Sequence, residues 1–395
     1  AQGRVRYRPS GIEVALVVWL GASVLSIPGS IDAAASWYRF GSDAIEYVGL
    51  FVVLSSTLTA KNCPAALKAL IAAATLNACI AIADVGLHLD LAHHLGGGPD
   101  GLVSVGDVRL GFERAQGTFQ HPAFLATMLA MAIPLTYGFF VSRNLRRPRL
   151  EHWAILGVQS AALGLTATRA AWFACALGIL GVLIASVRRR PSLWWHLYGV
   201  LAMLTVALVV AAPQVNEVTS FVRDLGTTAS TRSTATTGYR FELVRQSLEA
   251  VHARPLFGYG LGDFADVGIR GVLDGRALIL TSPDNHLVRV VVETGVIGLT
   301  AFLILAVAIA NLAVRTVRGT RRAFDAPTYA GLAWAVFAFG VVNLTISALP
   351  INQVGFYFWT IVAVLVVRRS SHRVSRPRVG LEHGLPPDPA PVRIS

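Results

Sequence analysis

Apolar runs recur along this chain at lengths of about 17 to 25 residues, each long enough to cross a hydrocarbon layer as a helix. They fall near 11–28, 43–59, 65–87, 119–141, 153–167, 170–187, 194–212, 285–312, 327–349 and 352–367. Because lipid offers backbone groups no hydrogen bonds, such runs are confined to helices. The expected fold is therefore an all-α polytopic membrane protein with about ten transmembrane helices. Composition agrees, with 54% hydrophobic and 14% charged residues and a mean hydropathy of +0.57.

The net charge of +12 could suggest a nucleic-acid partner, but its distribution points elsewhere. The arginines sit in short clusters between apolar runs: Arg4 to Arg8, Arg143 to Arg149, Arg188 to Arg190, Arg315 to Arg322 and Arg368 to Arg373. With ten spans every cluster falls on one side, which the positive-inside bias makes cytoplasmic. No nucleic-acid partner is expected. Cys63, Cys79 and Cys175 lie in or beside apolar segments without ligand spacing, so they are expected to be small buried residues rather than disulfide or metal ligands.

Four regions follow. Residues 1–212 form an N-terminal membrane bundle of seven spans, 213–284 a large extracytoplasmic loop, 285–368 a C-terminal bundle of three spans, and 369–395 a disordered cytoplasmic tail rich in Arg and Pro. Long loops of this kind are commonly functional. The loop opens on a Ser/Thr-rich stretch, 227–237, expected to be flexible, followed by Tyr239 to Arg254 with Phe241, Val244, Leu248 and Val251 at helical spacing. That pattern predicts an amphipathic helix ended by Pro255. Arg245 can pair with Glu242 or Glu249, which leaves Arg240 as the arginine free for a ligand.

The stretch Thr281 to Gly298 carries polar groups into an apolar helix: Asp284, Asn285, His286, Arg289 and Glu293. Charges near hydrocarbon are costly unless paired or hydrated, so such a cluster marks a candidate site. His286, Arg289 and Glu293 share one helical face. Plainer roles stand beside the functional ones. Asp284 and Asn285 follow Pro283 and could cap the helix, Arg289 and Glu293 could form an ion pair, and Gly295 and Gly298 could allow close helix packing. Gly258-Tyr-Gly-Leu-Gly262 lacks a preceding strand and reads as a glycine-rich turn rather than a nucleotide loop.

Arg169 lies in a tight turn, Thr166 to Trp172, between two spans, on the side the positive-inside bias disfavours. Arg114 precedes Gly117-Thr-Phe-Gln-His-Pro122 at the start of the fourth span. Together Arg114, Arg169, Arg240 and Arg289 would place several guanidinium groups on one membrane face, where they suit bidentate binding of phosphate oxygens.

Four segments in order resemble the O-antigen ligase and polymerase superfamily of bacterial envelope glycosyltransferases. They are Gly117 to Pro122, Thr168 to Trp172, Tyr239 to Gly262, and Ser282 to Gly298. The resemblance implies a multi-pass enzyme of the bacterial inner membrane with its active site facing the periplasm. It implies transfer of a glycan from a polyprenyl diphosphate carrier to a glycan or lipid-glycan acceptor, without metal or cofactor. Family members have about twelve spans, which leaves room for spans upstream of Ala1. The ligase branch places a histidine where this chain has Asp284, with His286 two residues later, so ligase and polymerase both stay open.

Chemically, Arg169 and Arg240 would hold the diphosphate and stabilise the charge growing on it. The acceptor hydroxyl needs a base, for which Asp284 is the positional and His286 the chemical candidate. Arg114, Asn285 and Arg289 would contact substrate. The rival readings are a transporter or flippase of a lipid-linked glycan, which paired broken helices would favour, and a structural assembly subunit.

Overall fold

The computed structural model describes residues 10–88, 114–143, 150–187, 243–273, 276–279, 283, 285–320 and 325–374. The helices are α1 (Ile12–Ser26), α2 (Ala33–Asp43), α3 (Leu50–Thr57), α4 (Cys63–Leu87), α5 (Pro122–Arg143), α6 (Leu150–Leu165), α7 (Arg169–Val187), α8 (243–253), α9 (His286–Gly319), α10 (Ala326–Asn343) and α11 (Asn352–Val374). Among the described residues six helical stretches are long and apolar enough to cross a membrane: Ile12–Gly29, α4, Pro122–Ser142, α7, α9 and α10. The protein is thus helical and multi-pass. The run at 194–212 lies outside the described residues, as do the Ser/Thr-rich stretch at 227–237, Arg240 and Asp284.

The second apolar run is longer than its hydropathy suggests. The helix begins at Ala33, ten residues before the run expected from 43, and continues through a π-helical stretch, Ala44–Gly49, into α3. Asp32 starts it by accepting hydrogen bonds from the Ala34 and Ala35 amides, the ordinary chemistry of an N-cap. α11 continues to Val374, six residues into the stretch expected to be disordered.

α5 is the centre of the bundle, buried over nearly its whole length. Small residues bring its neighbours close. Gly138 of α5 meets the Pro327 carbonyl of α10, and Gly331 of α10 meets the Pro134 carbonyl of α5, where a Cβ would collide. Gly178 and Gly181 of α7 make room for Pro134 and Trp334 in the same way. Without a hydrophobic driving force inside lipid, such close contact is what holds helices together. Cys63 and Cys175 are buried as expected, whereas Cys79 is exposed on α4.

The segment read as the loop contains more than a helix. After α8 come the glycine-rich turn, a 3₁₀ stretch (Asp263–Val267) and a two-stranded antiparallel hairpin, β1 (Arg270–Leu273) with β2 (Arg276–Ile279), pairing Arg270 with Ile279 and Leu273 with Arg276. The sequence reading did not anticipate the hairpin. The apolar stripe expected of α8 is not the side that the protein covers most: Leu243, Ser247 and Ala250 are buried, while Val244 and Leu248 are exposed. Arg245 pairs with Glu249 at 2.6 Å, one of the two partners expected.

Candidate functional site

α9 is not one continuous helix. Gly295 has φ 67° and ψ −169°, which splits α9 into an upper part ending at Thr294 and a lower part starting at Val296. A break leaves carbonyls above it and amides below it without helical partners. The glycine-rich turn supplies both. The amides of Tyr259 and Gly260 donate to the carbonyls of Val292 (3.0 Å) and Glu293 (2.9 Å), and the amides of Val296 and Ile297 donate to the carbonyls of Pro255 (2.9 Å) and Leu256 (3.4 Å). The glycines follow from the proximity. A Cβ at Gly258 would stand 2.5 Å from the Val292 oxygen, and one at Gly295 would collide with the Leu256 carbonyl. Gly295 therefore serves a helix break rather than helix packing, which corrects the expectation.

The same turn is fastened to the start of α2. Asp263, fully buried, accepts from the amides of Ile31 (2.8 Å) and Asp32 (3.1 Å) and from the Ser36 hydroxyl (3.3 Å). The Ile31 amide also donates to the Tyr259 carbonyl at 3.1 Å. Arg254 donates to the Gly29 carbonyl and lies 4.7 Å from the centre of the Tyr259 ring. Three distant parts of the sequence thus meet in one place.

The upper part of α9 carries most of the predicted cluster. Asn285 caps it, its Oδ1 accepting from the amides of Leu287 (2.8 Å) and Val288 (3.4 Å). His286 is buried; its Nδ1 lies 2.9 Å from the Ser347 hydroxyl and its ring stands edge-on to Phe302 at 5.1 Å. Its Nε2 is buried with no hydrogen-bond partner among the described residues. Arg289 Nε donates to Glu293 at 2.8 Å, so the ion pair expected as its plainer role is present.

Facing it is a second pair that the sequence reading passed over. Arg39 and Asp43 of α2 pair at 3.0 Å, and Arg39 also donates to the Pro350 carbonyl at 3.4 Å. The charges of Arg289 and Glu293 reach Asp43, and that of Arg39 reaches His286. Glu46, one turn on, is buried with Oε1 unpartnered among the described residues. The signal was available, because two carboxylates open an apolar run just as Asp284 and Glu293 do, and ionisable groups in such runs are functional candidates.

Arg114 and Arg169 meet at another turn. Arg114 donates from Nε to the Thr166 carbonyl (2.8 Å) and from Nη2 to the Thr168 hydroxyl (3.2 Å), and the Ala115 amide donates to the Leu165 carbonyl (3.0 Å). Trp172 Nε1 donates to the Leu163 carbonyl at 2.8 Å. The turn, with Ala167 at φ 51°, presents an exposed Arg169 at the first residue of α7. Arg114 is thus engaged in the turn rather than a solvated loop residue. Close by, His121 Nδ1 accepts from the Ala123 amide at 3.1 Å. Burial, with the Arg114 charge adding to it, pushes the His121 pKa down to about 4.

The fold and these side chains define a multi-pass membrane protein with ionisable residues clustered where helices begin. Residues 154–303 match the family model described as O-antigen ligase. That match supports the O-antigen ligase and polymerase superfamily, and it spans three of the four resembling segments, Thr168 to Trp172, Tyr239 to Gly262 and Ser282 to Gly298. No curated protein matches the chain.

Proposed function

We propose that the chain transfers a glycan from a polyprenyl diphosphate carrier to an acceptor sugar at the periplasmic face of the inner membrane. The observation that carries this reading is the Arg114 clasp, because it holds a turn from which the exposed Arg169 guanidinium projects at a helix start. A guanidinium there, reinforced by the positive end of α7, suits a diphosphate that gains charge as it departs. Arg240 supplies the second guanidinium.

The reaction is a single displacement. The acceptor hydroxyl oxygen attacks the anomeric carbon, the bond from that carbon to the diphosphate oxygen breaks, and its electron pair leaves on the diphosphate. The hydroxyl proton passes to a base, and the anomeric configuration inverts. His286 fits the base role through Nε2, since Ser347 engages the other ring nitrogen and fixes the ring. Asp284 is the alternative base. With guanidinium groups neutralising the leaving group, no metal is required.

One observation favours transport as a second reading: α9 is broken at Gly295, and discontinuous helices mark many transporter sites. There, the freed carbonyls coordinate the coupling ions. Here those of Val292 and Glu293 are taken by Tyr259 and Gly260, which leaves the transferase as the better reading.

The test is transfer from a polyprenyl-diphosphate glycan in proteoliposomes. Arg169→Ala and Arg240→Ala should each lower the rate by about 10²-fold or more, the size typical of a lost transition-state donor. Lysine at either position should recover part of it, because an ammonium cannot fork across two oxygens. A chelator should leave the rate unchanged. Wild-type transfer by both alanine variants would overturn the assignment.

A further inference from the structure

α9 can be measured against the bilayer. From Val296 to Val314 the lower part of α9 holds no charged residue, and Arg315 and Arg318 follow. At 1.5 Å per residue that stretch is about 28 Å long, the thickness of the hydrocarbon core. Val296, Ile297, Leu303, Ile304, Val307 and Val314 are exposed along it, as expected of a surface that faces lipid. The break at Gly295 therefore sits at the hydrocarbon boundary.

The backbone exchange then fixes the level of the chain that crosses α9 there. Leu256 bonds Ile297, and Pro255 bonds Val296, so residues 255–257 lie at the same boundary. Leu256 and Phe257 are 57% and 43% exposed. Immediately before them, α8 turns Val244 (39%) and Leu248 (53%) outward, with the Arg245–Glu249 ion pair beside them. Its other face, Leu243, Ser247 and Ala250, is buried, and Leu243 packs with Phe264, Ile269 and Val292. Four large apolar side chains are thus exposed on a segment whose end is bonded to α9 beside the exposed Val296 and Ile297.

We propose that Val244, Leu248, Leu256 and Phe257 form an interfacial anchor, seated in the acyl boundary of the leaflet at the broken end of α9. Short helices with one apolar face and charged flanks lie in that plane. The occupant is the bilayer and not a second protein, because Leu256 and Phe257 stand beside the exposed Val296 and Ile297, at the depth where α9 leaves the hydrocarbon. The anchor does not depend on the transferase reading. It would hold the loop against the membrane whatever the loop does.

Single nitroxide labels in a background of Cys63→Ala, Cys79→Ala and Cys175→Ala, reconstituted in phospholipid nanodiscs, test this by collision with oxygen and with a water-soluble nickel chelate. Labels at 244, 248 and 257 should favour oxygen severalfold over nickel, as a label at the lipid-facing 304 does, whereas one at the exposed Asp266 should favour nickel. Using three positions keeps the result readable if one labelled variant fails to fold. Nickel access at all folded positions equal to that at 266 would overturn the proposal. So would exclusion of both reagents, which is the result expected if protein covers the face. Neither result bears on catalysis, so failure of the anchor and failure of the transferase are separately visible.

Discussion

Gly295 and Leu256 approach so closely that a Cβ on the glycine would collide with the leucine carbonyl, and the amide two residues beyond the glycine donates to that same oxygen. Gly295→Ala should therefore destabilise the protein by roughly 2 to 4 kcal/mol, from the left-handed φ together with the collision. Gly340→Ala, which meets nothing within 4 Å, should be neutral or slightly stabilising in the interior of α10. Melting of the two variants in detergent checks this, and equal midpoints would contradict it.

Arg114 acts on Arg169 through the turn between them, so its loss should not add to the loss of Arg169. Arg114→Ala should reduce transfer and raise the KM for donor, and Thr168→Val should reproduce part of the effect. The double variant Arg114→Ala/Arg169→Ala should be no slower than Arg169→Ala alone, since residues that act as a unit are non-additive. A further drop in the double variant would mean that Arg114 touches substrate directly.

Arg289 was expected to contact substrate, yet it is held by Glu293 with side-chain exposures of 17% and 5%. Removing one partner of a buried pair costs about 3 to 5 kcal/mol, whereas replacing both with apolar residues is often tolerated. Arg289→Ala should lower the melting point, and Arg289→Met/Glu293→Leu should restore it. If the restored protein transfers glycan at the wild-type rate, Arg289 is structural; if it is stable and inactive, the arginine binds substrate.

The base assignment can be separated by three substitutions. With His286 as base, His286→Gln removes most transfer and Asp284→Asn is mild. Ser347→Ala then falls between them, because it frees the ring without removing it. With Asp284 as base the first two exchange places, and Ser347→Ala has little effect.

His121 sets a pH dependence on stability. Its folded pKa of about 4 lies below the ordinary histidine value, first through burial and then through the Arg114 charge. In the unfolded chain the ring binds a proton below about 6.5, while the folded protein keeps it neutral. Its contribution is thus intact above about 6.5 and is lost as pH falls toward 4. His121→Asn should flatten that part of the melting profile. An unchanged slope would rule out His121 as its source.

The long apolar runs made the helices legible because hydrocarbon permits little else, and nine of the ten runs fall on described helices. The cap at Asn285, the Arg289–Glu293 pair and the Arg245–Glu249 pair were also readable, since each follows from spacing within one helix. The break at Gly295 was not. Apolar residues continue across it, and only the distant turn that satisfies it makes it stable. Which side of α8 the protein covers was not legible, because hydrophobicity does not say whether an apolar residue meets protein or something else; small Ser247 and Ala250 pack inward while larger Val244 and Leu248 turn out. Arg39 escaped notice because its partner opens what looked like the next span.

The exchange between the glycine-rich turn and α9 also constrains how the protein is made. Residues 254–263 leave the ribosome before 286–319, and Asp263 needs amides from residues 31 and 32, which are synthesised earlier still. The four hydrogen bonds across the break in α9 form only once that turn lies beside it. A chain made in this order thus carries the partner of a helix break before the helix itself exists.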